Sequence, residues 1–69
     1  MKPTVTFESS GMSGNIYAIL GRVKDALRKE RRINDYNTMR DRVLSSGSYD
    51  EALGIIREYV VLIDNNGRY

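Results

Sequence analysis

"TVTFESSGMSGNIYAILGRVKDALRKE" (residues 4–30) changes its period part-way along, and that change decides the fold. Over 4–8, Val5 and Phe7 alternate with Thr4, Thr6 and Glu8. This two-residue repeat predicts a half-covered strand, with Pro3 tolerated at its start. From Asn15 onward, Ile16, Ile19, Leu20, Val23 and Leu27 recur at helical spacing with Ala26 beside them, opposite Arg22, Lys24, Asp25, Arg28 and Lys29. That stripe predicts an amphipathic helix over about 15–30, capped by Ser13 or Asn15. Gly21 falls mid-helix, where it costs on the order of 1 kcal/mol relative to alanine and invites close approach by another backbone.

Further along, "ERRINDYN" is a polar break in which Asn34 or Asp35 can cap a second helix, with Tyr36, Met39 and Val43 on one face and Leu44 adjacent. Gly47 suits a left-handed position after that helix. Ser48 followed by Glu51 reads as a capping box for a third helix, whose stripe is Tyr49, Ala52, Leu53 and Ile56. The β-branched run "YVVLID" (59–64) predicts a second strand, apolar on both faces and so central in a sheet. Residues 64–69 close the chain as a frayed tail. The expected fold is thus a single α+β domain over 1–69, ordered strand, helix, helix, helix, strand. Two strands make a poor sheet alone, so edge-to-edge self-association into a larger one is expected.

Length and composition point the same way. A 69-residue chain buries only about 60% of the surface its unfolded form exposes. It has no cysteine and no histidine, so disulfides and the usual zinc sites are excluded. The same absences remove serine–histidine, cysteine–histidine and zinc-hydrolase chemistry. The chain therefore reads as a non-enzyme without metal or cofactor. No stretch approaches the roughly 20 apolar residues of a membrane span. The N-terminus lacks the apolar core of a signal peptide, which predicts an intracellular protein. Charge is polarised: seven cations face three carboxylates in 1–34, and four face six in 35–69, giving +4 and −2.

Two constellations are candidates for binding. The loop "SSGMSGN" (9–15) precedes a helix N-terminus, where unpaired N–H groups and a partial positive charge favour anions. Ser10, Gly11, Ser13, Gly14 and Asn15 could cradle a phosphate, with Arg22 or Lys24 adding charge and Tyr17 stacking on a base. The stretch matches neither a Walker A loop nor G-x-G-x-x-G, and a plain strand-to-helix connection with an ordinary cap is the simpler account of it. The other constellation is the basic face Arg28, Lys29, Arg31 and Arg32, suited to an acidic partner surface or to a solvated helix end. Asp50, Glu51 and Glu58 against Arg57 alone argue against a DNA-reading third helix. Tyr36, Tyr49 and Tyr59 are expected to pack in the core with hydroxyls at its rim, whereas Tyr17 lies off the apolar stripe.

The segments "GNIYAILG" (14–21), "SGSYDEAL" (46–53) and "YVVLI" (59–63) together resemble a family of small proteins of unassigned activity encoded by tailed bacteriophages. Ser13 and Ser48 stand where that family often carries an acidic residue, which weakens a carried-over metal site and leaves the loop friendlier to anions. The resemblance implies a phage accessory protein in the cytoplasm of a bacterial host, countering a defence system. Two modes of action fit: sequestration of a nucleotide signal at the loop, or inhibition of a host defence protein through the basic face, in the manner of an anti-CRISPR. Its expected partners are then a second copy of itself and one of these host molecules, with neither membrane nor nucleic acid involved.

Overall fold

The computed structural model describes residues 2–8 and 14–65. It contains β1 (Thr4–Phe7), α1 (Ile16–Lys29), α2 (Ile33–Leu44), α3 (Tyr49–Ile56) and β2 (Val61–Asp64). This is the β-α-α-α-β order of a small α+β domain.

The strands pair parallel, with Thr4 opposite Val61 and Phe7 opposite Asp64. The Val61 amide donates to the Pro3 carbonyl at 2.9 Å and the Asn65 amide to the Phe7 carbonyl at 2.7 Å. Parallel strands need a long crossover, which the three helices supply. Val5, Phe7 and Leu62 point toward the helices and are buried, while Thr4, Thr6, Val61 and Ile63 point the other way. The helical stripes close the core with Ile19, Val23 and Leu27 from α1, Tyr36, Met39 and Val43 from α2, and Leu53 and Ile56 from α3. Ile16 and Ala26 pack at its margin.

Local chemistry explains the helix ends. Asn15 caps α1 by accepting from the Tyr17 amide at 2.8 Å. At the other end Arg31 adopts φ 58°, and it alone among the described non-glycine residues has a positive φ. The Arg32 amide then bonds the Leu27 carbonyl at 2.7 Å and the Arg31 amide the Arg28 carbonyl at 3.0 Å. These are the two bonds of a Schellman closure, with arginine at the position glycine usually occupies. Ser48 accepts from the Glu51 amide at 3.1 Å, and Glu51 in return accepts from the Gly47 amide at 3.1 Å.

Several sequence expectations need correction. The α2 N-cap is Arg32 rather than Asn34 or Asp35, because the turn at Arg31 reverses the chain at once and leaves no linker. Asp35 sits instead in the first turn, holding the Arg32 Nε at 2.8 Å. Gly47 lies outside the left-handed region, since its amide serves the Glu51 carboxylate. β2 begins at Val61, because the amides of Glu58, Tyr59 and Val60 are spent on the last carbonyls of α3. It is apolar only on its outer face, where Val61 and Ile63 are exposed in a two-stranded sheet; its inner face carries the buried Asp64 beside Leu62. Asp64 and Asn65 belong to the ladder and not to a tail, and residues 66–69 lie outside the described residues. A methyl group at Gly21 would touch nothing within 4 Å beyond its own helix backbone, so among the described residues no other segment approaches there.

Candidate contact surface

The phosphate-loop residues Ser10, Gly11 and Ser13 lie outside the described residues. Gly14 is buried, and its carbonyl accepts from the Tyr49 hydroxyl. The Asn15 side chain occupies the capping position at the start of α1, where an anion would have to compete with it. Arg22 and Lys24 stand roughly 10 and 13 Å further along the helix axis. Arg22 reaches toward the Thr6 carbonyl at 3.5 Å beside β1, and Lys24 sits 5.9 Å from the centre of the Tyr36 ring. Those two cations therefore stand about two turns beyond Asn15 and Tyr17, and neither lines the groove that Tyr17 borders.

The basic face is partly neutralised. Arg28 pairs with Asp25 at 3.0 Å and Arg32 with Asp35 at 2.8 Å. Lys29 and Arg31 have no ion-pair partner among the described residues. Exposed pairs of this kind contribute little stability, but they do lower the net charge offered to a partner.

A different surface emerges where three helix ends meet. Ile16 and Tyr17 open α1, Val43 and Leu44 close α2, and Tyr49 and Ala52 begin α3. With the Ser46–Gly47–Ser48 turn they line a groove of about 330 Å³. The Tyr49 hydroxyl ties this wall to Gly14, across 35 residues of chain. Tyr17 is 70% exposed, Leu44 50% and Tyr49 40%. Tyr49 is expected in the core with its hydroxyl at the rim; instead its ring stands at the rim while its hydroxyl donates to the carbonyl of buried Gly14. Leu44 and Tyr49 were missed as surface residues. The one available signal was Leu44, which falls one position off the Tyr36–Met39–Val43 stripe.

A second groove of about 400 Å³ runs between Pro3 with the first residues of β1 and the C-terminal half of α1 with its cap Glu30, where Arg22, Asp25 and Lys29 line it. Its charges are mixed. Ionisation is displaced at Arg42 and Glu58, where side-chain hydrogen bonds raise the guanidinium above its ordinary value and hold the carboxylate below its own. Among the described residues no three carboxylates, histidines or cysteines gather as a metal site, and no helix is long and apolar enough to cross a membrane. Neither a family model, nor a curated protein, nor a solved structure matches this chain.

Proposed function

We propose that this chain is a non-enzymatic binding protein that acts by covering the surface of a partner protein, with the Tyr17–Leu44–Tyr49 groove as its contact site. The observation that carries the reading is the exposure of two tyrosines and a leucine around one concavity. Tyrosine supplies large contact area at low cost in side-chain entropy, and contiguous exposed apolar groups mark interaction sites. Lys29 and Arg31 would steer an acidic partner without being the anchors. The phage resemblance supplies a context, namely inhibition of a host defence protein in the bacterial cytoplasm.

Sequestration of a nucleotide is the second reading, favoured by one feature: Tyr17 and Tyr49 both line a groove that could admit a base. Against it, Arg22 and Lys24 lie elsewhere, and Asp50 and Glu51 occupy the first turn of α3 beside the groove. Carboxylates there repel phosphate.

Affinity capture from bacterial lysate, with mass-spectrometric identification, tests the first reading. The same host protein should be recovered repeatedly with the native chain and with Arg31→Glu at reduced yield, and lost with Tyr17→Ala/Leu44→Ser. Recovery unaffected by Tyr17→Ala/Leu44→Ser would overturn it. So would a stabilisation of about 2.7 kcal/mol by a cyclic or linear dinucleotide at a hundredfold excess over its Kd, which is the signature of the second reading.

A further inference from the structure

The ladder leaves one edge of β1 unpaired. Val61 donates to the Pro3 carbonyl and Asn65 to the Phe7 carbonyl, so the parallel register turns the odd-numbered main-chain groups of β1 toward β2. The N–H and C=O groups of Thr4 and Thr6 point the other way. Among the described residues the only group that meets them is the Arg22 guanidinium, 3.5 Å from the Thr6 carbonyl and so beyond ordinary hydrogen-bond length. Thr4 and Thr6 turn their side chains away from the helices, so a concavity that they line together with Arg22, Asp25, Ala26 and Lys29 lies beside that edge. We infer that this groove takes an extended segment of a protein as a third strand, paired to Thr4 and Thr6 and walled by α1, with an acidic side chain against Arg22.

The unpaired edge chooses the occupant. Its donors and acceptors repeat every two residues, about 6.6 Å, which is the spacing at which another extended main chain presents its own N–H and C=O groups on one side. Charge adds the acidic residue. Asp25 is already paired with Arg28 at 3.0 Å, whereas Arg22 has no carboxylate partner among the described residues. An incoming amide that takes the Thr6 carbonyl releases the guanidinium from its long contact and frees it for a carboxylate. Glu30 closes the far end of the groove, about 12 Å further along the helix, which sets the acid at the Thr6 end. A second copy's β1 fits less well, because α1 packs mainly against β1 in the sheet. Two-fold pairing of two such edges would set both α1 helices over strands about 4.8 Å apart, where packed helix axes need about 8–10 Å.

Hydrogen exchange read by NMR tests the edge directly. In the free full chain the Thr4 and Thr6 amides should be unprotected and the Val5 and Phe7 amides protected. Capped octapeptides alternating valine and threonine, with one central aspartate, should protect Thr4 and Thr6 and shift the resonances of Arg22 and Lys29. N-methylation of alternate peptide amides should abolish binding in one phase and spare it in the other, because only one side of the added strand faces β1. Arg22→Glu should weaken the aspartate peptide about fivefold and favour its lysine counterpart by a similar factor. Tyr17→Ala/Leu44→Ser should change neither, which separates this surface from the groove between the helix ends. Peptides that leave Thr4 and Thr6 unprotected at millimolar concentration overturn the inference, as does binding indifferent to the phase of N-methylation. Protection of those amides in the free chain overturns it too, in favour of a second copy if dilution removes the protection. Equal affinity of the native chain for aspartate and lysine peptides overturns the acidic assignment.

Discussion

Arg42 of α2 and Glu58, just beyond α3, meet in a two-pronged ion pair: Nη1 lies 2.7 Å from Oε1 and Nη2 2.9 Å from Oε2. Nη1 also donates to the Tyr59 hydroxyl at 3.2 Å. The fork ties the middle of the helical layer to the segment that launches β2, and planar guanidinium geometry makes it specific.

That pair sets a pH dependence. The Arg42 hydrogen bonds hold the Glu58 carboxyl below its ordinary value in the folded chain. A carboxyl depressed on folding stabilises above its unfolded pKa, and the contribution fades as pH falls through the folded one. Urea melts should therefore show stability declining as pH falls below the ordinary glutamate value of about 4.3. Glu58→Gln should flatten that decline while lowering stability modestly at neutral pH. Arg42→Lys should resemble it, since an ammonium cannot form the fork. An unchanged acid limb in Glu58→Gln would show that the pair does not control it.

Arg31 holds a left-handed conformation that a side chain resists. Arg31→Gly should raise stability by about 0.5–1 kcal/mol, because glycine adopts φ 58° without the Cβ clash. Arg31→Ala removes the charge and keeps the clash, so it should be near neutral. Chemical denaturation of the three chains measures the difference.

Among the described residues, nothing packs close enough to two helical glycines to require glycine there. A Cβ at Gly21 or Gly54 would meet nothing within 4 Å. Gly21→Ala and Gly54→Ala should each stabilise by about 0.5–1 kcal/mol, and the two should add because the sites share no partner. A loss of stability in Gly21→Ala, read by thermal or urea melts, would mean that another molecule packs against that position.

Tyr49→Phe should cost about 1–2 kcal/mol, because it leaves the buried Gly14 carbonyl without its hydroxyl donor. The loss should be local. Hydrogen exchange should accelerate at the first turn of α1 before it does in α2. Uniform acceleration across the domain would show that the Tyr49–Gly14 bond does not anchor the groove.

Much of this architecture was legible from periodicity. Alternation placed Val5 and Phe7 inward, helical spacing selected Ile19, Val23, Leu27, Met39 and Val43 for the core, and Ser48 with Glu51 announced the third helix. These signals are local: side-chain direction follows backbone geometry within a few residues, and a short polar side chain reaches only its own turn. The Tyr49 assignment failed because position 49 satisfies the helical stripe, and nothing nearby in sequence reveals a hydroxyl acceptor at Gly14.

Residue order alone thus determined the element types, their succession and most of the buried set, because burial of an apolar stripe is decided by pattern. Tertiary structure alone decided the parallel sense of the strands, the exposure of Val61 and Ile63, and the meeting of Tyr17, Leu44 and Tyr49. Those features depend on where distant segments end up once the helices have reversed the chain. At Arg31 the backbone takes a conformation its side chain disfavours, and the packing of α1 on α2 holds it there.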